Sequence, residues 1–422
     1  MPGIPGDVVR DAASRAGSYR WKICALLFAA TAINYVDRQM IGVLKPTMQA
    51  ELGWHESQYA DIVFWFQAAY AVGYLGMGRF VDRVGARIGY AASFTLWTLA
   101  HMAHGLVRGV TGFALVRMAL GIGESGNFPA GLKAVTEWFP QRERALAVGL
   151  FNAGANVGAV LTPLIVPAIT LAYGWRMAFV ATGALSFLWL AAWLATYRRP
   201  ALSHEEDSTD ERVAWRTLLA RRETWAVAAA KFLTDPIWWM YLFWLPDFLG
   251  KRYGLNLVSF GPPLVAIYLM SDIGSVLGGW ASSRLLARGW TPNRARKTVM
   301  LACAIAVTPI LGVQWVDRLW PAVLLIGIAT AAHQAFSANL LTLPSDLFPR
   351  RAVGSAVGIA GTAGALGGMV MAKYAGFVLE AIGSYAPIFA VAGSAYLVAL
   401  LLLHLLSPRL APADLSLAEY RA

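Results

Sequence analysis

Cysteine and charge are both scarce in this chain. Only two cysteines, Cys24 and Cys303, occur in 422 residues. Both fall in apolar runs with no partner nearby in sequence, so neither a disulfide framework nor a cysteine metal site is supported. Charged residues make up 14% against 58% hydrophobic ones, which excludes a soluble globular chain. Metal-ligand clusters, phosphate-binding loops and nucleophile motifs are absent as well. The expectation is therefore a membrane protein that is not an enzyme, binds no metal and needs no cofactor.

What the chain has in abundance is long hydrophobic runs. Stretches of about 20 apolar residues read as membrane-spanning helices. Twelve are found, at 22–44, 58–78, 88–107, 111–133, 144–168, 174–196, 223–249, 261–285, 298–315, 319–343, 353–378 and 384–405. The first follows Arg10, Arg15, Arg20 and Lys22, lacks a small-residue cleavage site and contains Asp37 and Arg38. It reads as a retained span rather than a signal peptide.

A net charge of +11 might suggest nucleic acid as a partner, but its distribution argues otherwise. With alternating spans, 25 of the 35 lysines and arginines lie on the face bearing both termini, six on the other face and four within spans. The positive-inside rule then places both termini of a multi-pass membrane protein in the cytoplasm. The basicity records topology, not nucleic-acid binding.

The chain divides into two similar halves. A charged segment at 197–222 separates six spans from six, and EWFPQRERALAVGLF at 137–151 aligns without gaps to DLFPRRAVGSAVGIA at 346–360. The expected organisation is an N-terminal segment (1–21), a six-helix bundle (22–196), a linker (197–222), a second six-helix bundle (223–408) and a tail (409–422). Parallel repeats of this kind are a transporter architecture. The same register sets Glu124 opposite His333.

Between the second and third spans, GRFVDRVGAR (Gly78 to Arg87) combines turn-forming glycines with Asp82, Arg83 and Arg87. With Glu137 and Arg142 of the repeated loop, these residues are read as a latch on the terminus-bearing side. Ordinary turn chemistry is the plainer alternative.

Six ionisable residues stand out inside spans: Asp37, Arg38, Arg117, Glu124, Asp235 and Asp272. Each costs about 2.5–3.5 kcal/mol near the bilayer centre, so several are expected to work. Asn34, Asp37 and Arg38 share one helical face. Arg117 and Glu124 are two turns, about 10 Å, apart on one face, so each is expected to find its partner on another helix, in water or in a ligand. Gln67 and Tyr70 in the second span and Asn152 and Asn156 in the fifth add hydrogen-bonding groups, although interhelical glue is an equal reading of each amide. In the second half, Trp238 and Trp239 follow Asp235-Pro236, and the tenth span supplies His333, Gln334, Ser337 and Asn339. Aromatic faces suit the apolar face of a sugar ring. Glu124 is read as a proton-coupling group, and Asp37 with Arg38 as a pair with a substrate or proton role.

INYVDR at 33–38, GESGNFPAGLKAVTEWFP at 123–140, FNAGANVGA at 151–159, KFLTDPIWW at 231–239, SDIGSVLGGW at 271–280, AHQ at 332–334 and SANL at 337–340 together carry a resemblance. The chain resembles bacterial hexuronate transporters of the anion:cation symporter family, within the major facilitator superfamily. That resemblance implies the all-α, twelve-helix major facilitator fold and proton-gradient-driven symport of a sugar-acid anion such as galacturonate or glucuronate. It also implies proton and carboxylate binding by Asp37, Arg38 and Glu124, with Asp37 and Glu124 coupling the proton and Arg38 the leading carboxylate ligand through its planar fork, and it sets Arg117 and Tyr70 in the cavity. Ala335-Phe336 replaces the family's Gly-Trp, and Ser125 replaces its Ala. The expected partners are a small anionic sugar acid, protons and the bilayer, with the protein a monomer. An exchanger or uniporter, or a symporter for an aldonate or aldarate, remains the alternative. The two arginines count against a cation or drug exporter.

Overall fold

The structure, a computed structural model, describes the backbone of residues 6–198 and 213–413 and, within them, all side chains except those of residues 6–18, Gln141, Arg142, Ala145, Arg350 and Arg351. Helices account for the whole architecture of the described residues. The first half holds α1 (Gly6–Leu52), α2 (Glu56–Ala103), α3 (Val110–Glu124), α4 (Asn127–Trp138), α5 (Gln141–Tyr173) and α6 (Trp175–Thr196). A short helix, α7 (Trp215–Leu219), precedes the second half. There follow α8 (Arg222–Tyr253), α9 (Gly261–Ala287), α10 (Pro292–Val307), a 3-10 helix (Thr308–Trp315), α11 (Leu319–Leu347), α12 (Arg350–Ala381) and α13 (Ala386–Leu406).

These elements resolve into twelve crossings. The second and third spans run through α2, which reverses at Gly85 with φ 81° and ψ 163°, a conformation a Cβ would strain. That glycine belongs to the GRFVDRVGAR loop.

The fourth span, read as continuous, is instead broken into α3 and α4 immediately after Glu124. Pro129 has no N–H, so the Ser125 carbonyl lacks its helical donor and the turn loosens there. The ninth span likewise tightens into its 3-10 segment at Pro309.

Among the described residues, seven helices are long and apolar enough, by length and composition alone, to cross a membrane. They correspond to the fifth, sixth and eighth to twelfth spans. The other five carry Asp37, Gln67, His101, Glu124 and Lys231, so the crossings least like membrane helices are those that build the polar interior.

Glycine sets how closely the helices approach. A Cβ on Gly154 or Gly158 would lie 2.2–2.3 Å from the Phe28 or Ala32 carbonyl of α1, and one on Gly367 would lie 2.1 Å from the Phe232 carbonyl of α8. The fifth span thus meets the first as the eleventh meets the seventh, which is the repeat in three dimensions. Between α9 and α11, a Cβ on Gly274 would sit 2.1 Å from Ala331 O.

The two halves join along α2 with α12, α1 with α8 and α5 with α9. At the end opposite the termini the join is ionic. Lys45 Nζ lies 2.8 Å from both Glu56 Oε2 and Asp247 Oδ2, and Lys251 Nζ lies 2.6 Å from Glu56 Oε1 and 3.0 Å from Asp247 Oδ2. Each half contributes one cation and one anion to this four-membered ring. Tyr385 donates to Asp247, Lys373 pairs with Asp61, and Ser57 N–H donates to Glu380 at 2.8 Å. Among the described residues, the hydrogen bonds and ion pairs that cross between halves lie at mid-depth or at this far end.

Burial alone would raise the Glu56 carboxyl, but Lys45 beside it and the hydrogen bond from Lys251 hold it below the ordinary value. Burial would lower Lys251, yet Asp247 and Glu56 hold it above the ordinary value. A lowered acid stabilises the closed seam fully above its unpaired pKa, about 4.3, and a raised lysine does so below about 10.4. The far seam should therefore be tightest between about pH 5 and 10 and loosen as pH falls through the lowered Glu56 value. Cysteine accessibility from the far face in acid should report this opening, and Glu56→Gln should flatten the acid limb. An unchanged acid limb in that variant would remove Glu56 from the seam.

Candidate functional site

The first, second, fourth and seventh spans converge at mid-depth on Arg38. Its Nε donates to Glu124 Oε2 at 2.7 Å and one terminal nitrogen donates to Asn34 Oδ1 at 3.1 Å. Its guanidinium carbon lies 4.9 Å from the ring centres of both Tyr70 and Trp239, 5.0 Å from that of Tyr35 and 5.7 Å from that of Phe66. Such a cage stabilises a desolvated cation through the negative ring faces. Trp239 comes from the second half, so the cage closes only when the halves meet.

Arg117 directs both terminal nitrogens to the Arg38 carbonyl, at 3.3 and 3.4 Å. The seven-residue gap between Arg117 and Glu124 is thus resolved as the spacing requires, each reaching α1 rather than the other. Gly121 and Gly123 hold this turn against α2, where added Cβ atoms would come within 2.5 Å of Phe66 O and 2.6 Å of Trp97 N.

Asp37 faces a different set of groups. Its carboxylate is buried without a hydrogen bond among the described residues. His101 Nε2 lies 3.3 Å from Oδ1, but its hydrogen bond runs to Thr182 Oγ1 at 2.8 Å. Beyond it, His104 stacks on Phe179. The sequence reading omitted both histidines; two imidazoles in HMAH, inside an apolar run, were the available signal. It also omitted Gln39, whose amide donates to Tyr268 OH at 2.6 Å across the halves.

In the second half, His333 stacks on Trp238 at 5.4 Å and 3°, and its Nδ1 lies 2.5 Å from Tyr396 OH. The tenth span meets the seventh through His333 and Trp238 as the fourth meets the first through Glu124 and Arg38. Trp238 also lies edge-on to Tyr268.

Other sequence candidates stand apart. Asn339 donates to the carbonyls of Gly278 and Ala335 at 3.1 and 2.9 Å and so clamps α11 to α9. Gln67 is buried beneath Gly368 of α12 without a hydrogen bond among the described residues. Asn152 is exposed, and Asn156, Gln334 and Ser337 are half-buried.

In the loop motif, Asp82 lies 3.6 Å from Lys133, Arg87 donates to Leu194 O at 2.6 Å, and Glu137 accepts from Tyr197 OH at 2.6 Å. Each of these contacts joins elements of the first half. Arg83 is exposed, and the Arg142 side chain lies outside the described residues.

Residues 27–372 match the Major Facilitator Superfamily. The chain belongs to that family of transporters. This facilitator is 34% identical over 391 residues to the hexuronate transporter of Escherichia coli K12, covering 88% of this chain and 90% of that one. It is 35% identical over 280 residues to the galacturonate transporter of Dickeya chrysanthemi, covering 62% and 81%. It is 27% identical over 400 residues to the D-galactonate transporter of Escherichia coli O6:H1, covering 89% and 92%. Among solved structures, a bacterial homologue of the lysosomal transporter Spinster, inward-facing and occupied, superposes with a TM-score of 0.72 at 17% identity, covering 92% of this chain and 96% of that one. That likeness concerns the fold alone.

Removing one member of a buried ion pair typically costs about 3–5 kcal/mol because its partner is left uncompensated, whereas replacing both can be neutral. Arg38→Met should therefore lower thermal stability in detergent sharply, and Arg38→Met with Glu124→Leu should recover most of the loss. Additive losses in the double variant would show that the two groups do not stabilise one another.

Proposed function

We propose that this facilitator carries a sugar-acid anion together with a proton by alternating access. The observation that carries the reading is the state of Arg38, a caged guanidinium held by Glu124 through Nε and a single neutral contact from Asn34. Its remaining edge suits a carboxylate, which takes two parallel hydrogen bonds from a planar fork. The rings of Tyr70, Trp238 and Trp239 supply apolar faces for a sugar backbone. The names of the relatives, hexuronate, galacturonate and galactonate transporters, fit that chemistry.

Charge balance supplies the coupling. Asp37 and Glu124 offset Arg38 and Arg117, so the unprotonated site is neutral. A bound monoanion adds a negative charge in a low-dielectric interior, where uncompensated charge is costly. One proton on Glu124 or Asp37 restores neutrality. Protonating Glu124 also frees the Arg38 Nε–H for the incoming carboxylate. The charge bias of the loops supports cytoplasmic termini in the inner membrane, which makes the ionic far seam the external mouth, and uptake the direction served.

Glu124→Gln should abolish uptake of galacturonate driven by an imposed pH gradient in proteoliposomes while sparing exchange of galacturonate across the membrane. Full gradient-driven uptake in that variant would overturn proton coupling through this residue. Galacturonate and glucuronate should raise the unfolding temperature of the purified protein, and galactose should not. Equal shifts by acid and neutral sugar would overturn the carboxylate site.

A further inference from the structure

Besides Arg38, Arg117 and Lys373, Lys231 is a cation lying well inside a span. Its Nζ is 2.7 Å from Asp235 Oδ2, one turn along α8, with side-chain exposures of 11% and 20%. Among the described residues, no other hydrogen bond or ion pair engages either group.

The placement of this pair is specific. Asp235 stands one turn before Trp238 and Trp239 on α8, so the two residues continue the cavity face of that helix toward the terminus-bearing end. Opposite Asp235, α12 is cut back to glycine: a Cβ on Gly364 would fall 2.3 Å from Oδ2. A turn from there, a Cβ on Gly361 would lie 3.6 Å from the Tyr74 ring of the first half, and the Tyr74 ring centre lies 5.8 Å from that of Tyr70, which forms part of the Arg38 cage. Arg38, Tyr70, Tyr74, the glycine face of α12 and the Lys231–Asp235 pair thus follow one another toward the terminus-bearing end.

A purely structural role accounts poorly for the pair. It joins residues of one helix, so it ties no two elements together, and intrahelical pairs of this spacing contribute only about 0.3–0.5 kcal/mol. A helix lacking both charges would enter the bilayer more cheaply. The far seam is closed by its ionic ring, which leaves the terminus-bearing side as the way out of the central site.

We propose that Lys231 and Asp235 form a second carboxylate-binding station on that exit path, where the substrate's carboxylate displaces Asp235 from Lys231 on its way from Arg38. The proposal rests on the sugar-acid reading above. Asp235 acts there as a resident competitor: it keeps the lysine neutralised when the path is empty and yields to an anion presented at close range. No covalent step is involved.

Galacturonate flux measured separately from each face, in vesicles of known orientation, tests this. Replacing a charged hydrogen-bond partner by a neutral one typically costs about tenfold in affinity, so Lys231→Gln should raise the apparent KM from the terminus-bearing face by about that factor. The KM from the far face should stay within about twofold. Asp235→Asn, which removes the competitor, should lower the KM from the terminus-bearing face. A structural role has no reason to give that gain.

Equal changes from both faces, or an Asp235→Asn variant that binds more weakly, would overturn the station. Should the single variants unfold, the neutral pair Lys231→Gln with Asp235→Asn leaves no unpaired charge and carries the same face-specific expectation as Lys231→Gln. A wild-type protein with no saturable galacturonate flux would instead overturn the sugar-acid reading itself.

Discussion

The buried contact between Arg38 and Glu124 is the constraint around which the rest of this transporter is arranged. Two opposite charges taken out of water are tolerable only when they are close, hydrogen-bonded and balanced by their surroundings. Here each condition requires a different helix. α1 brings Arg38, the break between α3 and α4 places Glu124, α2 lends Phe66 and Tyr70, and α8 completes the cage with Trp239. The glycines of α3 and α5 follow from the same demand, since a charge pair with 2.7 Å geometry leaves no tolerance for helices held a methyl group further apart.

Much of this was legible in the chain because the bilayer makes polar residues conspicuous. Asp37, Arg38, Arg117 and Glu124 stand out in apolar runs, and the spacing of Arg117 from Glu124 directed each to another helix, water or a ligand; the structure supplies both partners on α1. The His333 placement followed from the repeat and reappears as matched contacts, His333 with Trp238 and Glu124 with Arg38. What could not be read was partnership across distant segments. Lys45, Glu56, Asp247 and Lys251 sit at span ends, where lysines and acids ordinarily reach for water, so nothing local marks them as a ring. The break after Glu124 was hidden for a related reason. Pro129 announces a disturbed helix, but proline can kink a helix without ending it.

Amides were the least legible class. Asn339, Gln67 and Asn156 look alike in a hydropathy profile, yet Asn339 is spent on the backbone of α9 and α11, Gln67 is wedged beneath α12, and Asn156 is half-buried. An amide satisfies a neighbouring carbonyl as readily as a ligand hydroxyl, so composition cannot separate the two uses. A guanidinium inside an aromatic cage is less interchangeable, because its desolvation needs both a counter-charge and ring faces, and that combination is rarely assembled for packing alone.

The two ways in which the halves are joined explain how one site can face two sides. At mid-depth they meet through Trp239 over Arg38 and through the hydrogen bond from Gln39 to Tyr268, contacts that a polar, ring-bearing solute can replace one for one. At the far end they meet through a ring of four charges, neutral in sum and drawn equally from both halves. When that ring parts, each half retains one lysine and one acid, so neither surface is left with net charge, and water re-solvates the groups at the membrane boundary rather than in its interior. The central contacts can therefore be exchanged for substrate and the peripheral ones for water. Rocking between the two arrangements strands no charge in the low-dielectric core, which is the condition under which a buried ion pair can take part in repeated conformational cycles.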